Sequence, residues 1–446
     1  MKKVALHNLG CKVNAYETEA MQQMLEAADY EIVPFKEQAD IYIVNTCTVT
    51  NMADRKSRQM LNRAKKMNPE AIVVAAGCYV QAKDEKEVLE KSIDVIIGNN
   101  MKKDLISILQ AYEKDKKGNE NLDSPNVDSD GIRDHASNNR LDINRTNEYE
   151  SLMLNNTIEN TRAYIKVQDG CNQFCTYCII PHVRGRVRSR KKEEVRKEVS
   201  RLVAVGYKEV VLTGIHLGSY GIDLSESLLS LIELIHEVEG LKRIRLGSLE
   251  PRVMSEHFIK TIAELEKVCP HFHLSLQSGC DETLQRMNRR YTTDEYYKTC
   301  ENIRKYYSHP AITTDIIVGF PGETEAEFEQ TKAFVDRINF YETHIFKYSP
   351  REGTKAATMR GQVDESIKAC RSNELMALSK QKQQQFEKSL RGKEVEVLLE
   401  EKKVIDGVEY WVGHTKEYVK IGIQDKKNLK NQLVNKTLGK SSQIVY

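Results

Sequence analysis

Three thiols stand within eight residues in Cys171-Asn172-Gln173-Phe174-Cys175-Thr176-Tyr177-Cys178, separated by three and then two residues. Cysteine thiolates are the usual ligands of iron–sulfur clusters, and a cubane has four irons to hold. Three cysteines would ligate three irons and leave the fourth open to a small molecule carrying an amine and a carboxylate. Zinc is the competing reading, but it normally takes four ligands, often from two C-x-x-C pairs. No further Cys or C-x-x-C follows nearby, and only His182 offers a fourth ligand. A disulfide or three ordinary loop thiols are the remaining readings.

A second set of thiols lies upstream. Cys11 follows the apolar run Lys3 to Leu9, Cys47 follows Ile41-Tyr42-Ile43-Val44, and Cys78 follows Ala71 to Ala76. Each run reads as a buried strand. Helical spacing separates them over Ala15 to Ala28 and near Asp54 to Met67. A helix near Lys83 to Lys91, the strand Val95-Ile96-Ile97 and a helix Lys102 to Tyr112 complete the segment. Strands alternating with helices predict a doubly wound parallel sheet. All strands of such a sheet end on one edge, where ligands bind. The spacing therefore delivers Cys11, Cys47 and Cys78 to one crevice as a second three-thiol site, the alternative being three buried structural cysteines. Gly10 and Gly77 suit tight turns beside it.

The 446 residues suggest several domains. With 30% charged and 40% hydrophobic residues and no apolar run long enough for a membrane helix, a globular protein without a membrane span is expected. The polar start Met1-Lys2-Lys3 lacks a secretory signal, so a cytoplasmic location with reduced thiols is expected. The ten cysteines are then metal ligands or buried groups rather than disulfides. Cys269, Cys280, Cys300 and Cys370 show no ligand spacing and read as structural, and the eleven histidines form no pair at metal-ligand spacing. A net charge of +2 does not advertise nucleic-acid binding, so any basic surface must be local.

Residues 113–156 are polar and poor in apolar side chains, which predicts a long, partly disordered linker between a first domain at 1–112 and a second at 157–373. Six strands are expected in that second domain: Ala163 to Val167, Glu209 to Thr213, Arg243 to Leu246, His271 to Leu276, Ala311 to Val318 and Glu342 to Phe346. Helical stretches separate them, so the domain reads as an open, partial (β/α)6 barrel with the cysteine loop on its top face. Residues 374–446 give a Gln/Lys-rich helix and then short strands of a small all-β barrel.

The order of these parts is similar to that of the radical S-adenosylmethionine (SAM) methylthiotransferase family. The matching runs are Leu9-Gly10-Cys11-Lys12-Val13-Asn14, Gly170 to Pro181 around the three cysteines, Leu276-Gln277-Ser278-Gly279 and Asp315 to Glu323. The resemblance implies two 4Fe–4S clusters, on Cys171, Cys175 and Cys178 and on Cys11, Cys47 and Cys78. It also implies SAM as methyl donor and radical source, and insertion of a methylthio group into an unactivated C–H bond. Such chemistry belongs to the cofactor rather than to side chains. It further requires an electron donor and a sulfur source. By the same resemblance Tyr177 packs near the adenine of SAM. Thr213, Glu250, Gln277 and Asp315, at or just past strand ends, would meet its ribose and methionine groups, with polar strand caps as the alternative.

Arg184 to Lys192 carries six basic residues in nine beside the cysteine loop, which suits phosphate contacts, or else a solvated helix entry. The tail from Lys388 has twelve Lys and Arg against eight Asp and Glu, and resembles the TRAM module, an RNA-binding β barrel. Tyr410 and Trp411 there would stack on bases or fill the barrel core. The runs Gly10 to Asn14 and Arg184 to Arg190 resemble the subgroup acting on threonylcarbamoyladenosine beside the tRNA anticodon, modified at ring carbon 2. The expected partner is therefore the anticodon stem-loop. Isopentenyladenosine in tRNA, a ribosomal-protein aspartate, and a non-catalytic zinc-dependent RNA-binding protein stay open as alternatives.

Overall fold

The computed structural model describes residues 1–83, 92–119, 137–154, 161–439 and 442–445. The helix expected near Lys83 to Lys91 falls largely outside them. Six parallel strands form the N-terminal sheet: β1 Lys3–Asn8, β2 Glu31–Ile32, β3 Ile41–Thr46, β4 Ile72–Gly77, β5 Val95–Ile97 and β6 Ser137–Asn139. Their spatial order is β2-β1-β3-β4-β5-β6. Every residue of β3 and β4 is buried, as the unbroken apolar runs require of a sheet covered on both faces. Met21 and Leu25 of the helix Lys12–Ala27 and Leu105 and Leu109 of the helix Leu105–Asn119 cover one face. Leu61 and Ala64 of the helix Asn51–Met67 cover the other.

The strand order reverses between β1 and β3, and in doubly wound sheets that reversal is where the ligand crevice opens. Cys11 follows β1 and Cys47 follows β3, so the two thiols flank this point, with Cys78 after β4 next to it.

The expected linker needs correction. Within its described part, β6 pairs with β5, and Ile143, Glu150, Leu152 and Leu154 are buried. The phenol of Tyr149 donates to the carbonyl of Lys166, and Tyr16 donates to the carbonyl of Leu152. The segment has few apolar residues, but among the described ones Ile143, Leu152 and Leu154 are buried, while Leu141 and Met153 stay exposed. The polar residues around them find partners there, which composition does not register.

Six parallel strands build the barrel: β7 Arg162–Asp169, β9 Glu209–Gly214, β10 Arg243–Leu246, β11 His271–His273, β12 Ala311–Val318 and β13 Glu342–Lys347. The short β8 Arg188–Ser189 adds an antiparallel edge to β7. Ladders run β7-β9-β10 and β11-β12-β13, and single bridges Ile244–Val268 and Leu249–Leu274 join the halves. The result is the open six-strand barrel that the pattern of strands and helices predicts. A single helix, Glu365–Ser389, then crosses the boundary expected at 373. It leads into five antiparallel strands: β14 Glu394–Ile405, β15 Val408–Thr415, β16 Lys420–Ile423, β17 Leu433–Thr437 and β18 Ser442–Ile444. Among the described residues, no helix is long and apolar enough to cross a membrane.

The C-terminal barrel seats on the amino-terminal rim of the larger one. Ala311 and Tyr341, at the starts of β12 and β13, join its core. The guanidinium of Arg243 donates to the carbonyls of Glu396 and His414, and that of Arg245 to Thr415 and Lys416. Trp411 is 6% exposed and fills this core, its indole N–H donating to the carbonyl of Lys427 at 2.8 Å. The core reading of Trp411 therefore holds over base stacking.

Candidate functional site

The loop carrying Cys171, Cys175 and Cys178 leaves the carboxyl end of β7 through Gly170. A Cβ there would lie 1.8 Å from the carbonyl oxygen of Arg186, so only glycine lets the loop turn against the 185–186 backbone. The amide of Cys171 donates to the carbonyl of Gly185 at 3.0 Å. Thr176 holds the far side, its amide donating to the carbonyl of Met287 and its hydroxyl to that of Arg286. Phe174 sits between, in the left-handed region at φ 50°, with its ring 37% exposed under the Arg186 guanidinium. His182, the possible zinc ligand, is exposed and packs edge-on to Phe174.

The three sulfurs of this loop lie close enough for their charges to act on one another. Burial pushes the Cys171 thiol up to about 11 and the Cys178 thiol up to about 12, with the Cys175 charge adding to both. Each sulfur has an N–H aimed at it: the Gln173 amide to Cys171 Sγ at 3.5 Å, Arg289 Nη1 to Cys175 Sγ at 3.2 Å, and the Ile180 amide to Cys178. Arg289 also binds the Glu250 carboxylate at 3.2 Å and the Tyr291 phenol at 3.0 Å. Glu250 accepts from Gln173 at 3.4 Å and faces His216 Nε2 at 3.3 Å. Burial raises its pKa, but His216 and Arg289 more than reverse this and hold the carboxylate ionised.

The structure thus places Glu250 and Tyr177 at the cysteine loop. The partly buried Tyr177 ring packs edge-to-face against Phe320. Thr213 is buried on β9 opposite Lys166 of β7. Gln277 holds a left-handed φ of 73°, unusual for a non-glycine and a mark of functional sites, and its amide donates to the carbonyl of Asp315. Asp315 stands apart from the loop, accepting from His273 Nε2 at 3.2 Å. His273, Asp315 and His344 bring one ligand atom each to within 4.8 Å of the others, a grouping that sequence spacing does not reveal because three strands supply it.

The second group forms in the N-terminal crevice. Gly10 has a φ of +102°, and a Cβ there would lie 2.9 Å from Cys47 Sγ, which places that sulfur directly on the turn bearing Cys11. Burial raises the thiol of the buried Cys47 to about 11, with the charges of Cys78 and Cys11 adding to it, while Cys11 itself is exposed. Cys78 receives two N–H groups, Asn99 Nδ2 at 3.5 Å and Arg184 Nε at 3.3 Å. Cys78 also packs with Ile179, the neighbour of Cys178, so the N-terminal sulfur site abuts the end of the cysteine loop. Three converging thiols with N–H donors aimed at sulfur fit an iron–sulfur cluster at each place.

The basic run expected to contact phosphate is a correction. Arg184, Arg188 and Arg190 are each 0% exposed, and Arg184 and Arg190 are tied to Glu17, Asp169 and Glu198. Within the run only Arg186 and Lys191 are exposed, with Lys192 partly so. A charge count cannot tell a solvated arginine from one whose carboxylates lie far off in sequence. Arg184, Asn99 and Arg289 are the site residues that sequence reasoning misses, since none stands at a telling interval from a cysteine.

A profile of the Radical SAM superfamily matches residues 165–335, and one described as uncharacterized protein family UPF0004 matches residues 3–98. The threonylcarbamoyladenosine tRNA methylthiotransferase MtaB of Bacillus subtilis is 38% identical over 97% of this chain and 93% of its own length. That of Aquifex aeolicus is 39% identical over 89% of this chain and 92% of its own. The tRNA-2-methylthio-N(6)-dimethylallyladenosine synthase of Thermoanaerobacter pseudethanolicus is 36% identical over 89% of this chain and 81% of its own. Among solved structures, the radical SAM methyltransferase TsrM from Kitasatospora setae, with cobalamin and a 4Fe–4S cluster, shares the fold. Its TM-score is 0.56 at 16% identity, over 80% of this chain and 77% of that one. Relatives of this identity and span, over a three-thiol crevice that abuts a three-thiol loop, leave one assignment: the chain belongs to the radical SAM methylthiotransferases, enzymes that work with SAM and two 4Fe–4S clusters.

Proposed function

We propose that this chain is a cytoplasmic tRNA methylthiotransferase that inserts a methylthio group at ring carbon 2 of N6-threonylcarbamoyladenosine, beside the anticodon. The observation that carries this reading is that the N-terminal sulfur site abuts the cysteine loop, with Cys78 packed with Ile179. One group alone serves many radical SAM reactions, whereas a second beside it gives transferred sulfur a place to wait. The relatives named for threonylcarbamoyladenosine, matched along nearly their whole length, supply the substrate.

Cys171, Cys175 and Cys178 would hold the cluster that binds SAM, and Cys11, Cys47 and Cys78 the second. When bound, these groups supply the radical and the sulfur that no side chain can provide. The chain's own residues position and exclude. Glu250, kept ionised by His216 and Arg289, offers a carboxylate to the ammonium end of SAM. Tyr177, within the cysteine loop, would pack beside adenine. Thr213 and Gln277 stand at the strand ends where the rest of SAM would lie, and Asp315 lies beside Gln277 on β12, its carbonyl accepting from the Gln277 amide. Arg186 and Lys191 remain as exposed cations for phosphate. The division into 1–112, 157–373 and 374–446 assigns the second cluster, SAM and RNA contact to separate units.

Two measurements test this. Anaerobically reconstituted protein should carry roughly eight irons per chain, two cubanes of four. Cys11→Ala/Cys47→Ala/Cys78→Ala should keep about half and lose all methylthio transfer. Mass spectrometry of tRNA nucleosides from a deletion strain should show 2-methylthio-threonylcarbamoyladenosine gone and threonylcarbamoyladenosine in its place. Its persistence, with no second enzyme of this family present, would refute the substrate; loss of a 2-methylthio isopentenyl form instead would reassign it.

A further inference from the structure

Arg184 belongs to the barrel domain, six residues after Cys178 in sequence, yet its side chain ends in the N-terminal domain's sulfur site. All five of its N–H groups have acceptors. Nε donates to Cys78 Sγ at 3.3 Å. Nη1 lies 2.9 Å from Glu17 and 3.0 Å from Asp169, and Nη2 lies 2.6 Å from Asn14 and 3.2 Å from Glu17. Asn14 Oδ1 also accepts from Cys11 Sγ at 3.8 Å, so the guanidinium touches one thiol directly and another through one amide. The whole side chain is 0% exposed.

The surrounding charges do not cancel. Arg184, Arg188, Lys102 and Lys166 are buried together with Glu17, Asp169 and Glu150. Four cations against three carboxylates leave one positive charge, and the sulfur face of Arg184 is where an anion completes the set. A buried, uncompensated cation is costly, so the network favours negative charge on the sulfur side. N–H groups and positive charge at cluster sulfurs stabilise the reduced, more negative state and so raise the reduction potential.

We propose that Arg184 sets the reduction potential of the N-terminal cluster through its hydrogen bond to Cys78, so that this potential depends on how the barrel domain docks against the sulfur crevice. The inference rests on the assignment of Cys11, Cys47 and Cys78 to a cluster. Arg184 is then a positioning residue: it acts on the cluster only through a ligand sulfur. Arg289 stands in the same relation to Cys175 of the other group. The difference is that Arg289 comes from the domain it serves, while Arg184 reaches across the seam.

The test is an anaerobic titration of the reconstituted full-length protein with dithionite, one electron entering each cluster, followed by electron paramagnetic resonance. A Cys171→Ala/Cys175→Ala/Cys178→Ala background assigns the midpoint of the N-terminal cluster. Arg184→Gln should move that midpoint negative by on the order of a tenfold change in the reduction equilibrium, 59 mV for one electron. The other midpoint should stay in place. Arg188→Gln, which removes a buried cation that touches no sulfur, should move it less. Where Arg184→Gln does not fold, Glu17→Gln/Arg184→Gln returns the buried set to its original single net positive charge and should still move the midpoint negative, because the N–H donor to Cys78 remains absent. An unmoved midpoint in an iron-loaded variant overturns the inference and leaves the cluster assignment standing. So does an equal shift of both midpoints, an equal shift with Arg188→Gln, or a folded variant that cannot retain iron. A background protein without iron would instead overturn the cluster assignment itself.

Discussion

Two glycines set the sulfur geometry, and each makes a separate prediction. Gly10 keeps a left-handed turn against Cys47, and a methyl there would meet that thiol's Cβ and Sγ at 2.9 Å. Gly10→Ala should therefore empty the N-terminal site while sparing the other, so iron falls by about half and methylthio transfer ceases. Gly170→Ala should do the opposite. Its Cβ would run into the carbonyl of Arg186, part of the backbone that anchors the cysteine loop, so the SAM-binding site should empty and the melting temperature should fall. Iron analysis and SAM binding, measured on both variants, separate the outcomes; loss of iron from both sites in either one would contradict the independence of the two turns. Arg289→Met gives a third case. It leaves Glu250 facing His216 without its guanidinium partner, and SAM affinity should drop by tenfold or more, since breaking a buried pair costs about 3–5 kcal/mol.

At the scale of elements, the helix Lys12–Ala27 links the N-terminal sheet to the barrel. Val13 and Tyr16 of it are buried, and Tyr16 reaches Glu198 of the helix Lys192–Ala204. Glu19 on the same helix is pushed up to about 7 by burial and then by the charge of Glu198. Its folded pKa lies above the unfolded 4.5, so between those values the native state holds a proton that the unfolded chain has released, and stability falls as pH rises across that window. Glu19→Gln removes the penalty. It should stabilise the protein by roughly 1 kcal/mol at pH 8, about 2–4 °C in melting temperature, with no gain at pH 4. An equal gain at both pH values would mean that the carboxylate is not strained. The elements themselves were largely legible. Continuous apolar runs gave β3 and β4, helical spacing gave the helices between them, and cysteines after strand ends had to converge because parallel strands end on one edge. Strands β2 and β6 were not legible, since Glu31-Ile32 and Ser137-Asn138-Asn139 are too short to show a period. The buried arginines were misread for a related reason. Arg184 finds Glu17 and Arg190 finds Glu198 only after folding, and a run of like charge looks solvated until its partners are known.

The whole molecule places chemistry and the C-terminal barrel at opposite ends of the central strands. The cysteine loop lies past the carboxyl end of β7, while Arg243 and Arg245 tie the C-terminal barrel to the amino-terminal rim. A strand of six residues spans about 20 Å, so an RNA held at both ends must lie along the barrel rather than across its mouth. The junction is also structural. Glu209, Arg243 and Arg245 are buried at its base, and the Tyr418 ring stacks on His271 and His414 beneath the guanidinium groups of Arg162 and Arg245. Removing residues 393–446 would strip the cover from two buried arginines whose outward N–H groups end on carbonyls of the removed part. The truncated chain should therefore melt well below the full-length protein without any RNA present, and its iron content should fall with it. A module that serves RNA alone would leave melting unchanged and cost only tRNA affinity. Tyr418→Ala separates the two effects on an intact chain: it removes the ring that fills the joint but no surface lysine. Scanning calorimetry should show a loss of stability, smaller than the about 3–5 kcal/mol of emptying a fully buried aromatic site because the ring is only partly buried, while the salt dependence of tRNA binding stays as it was.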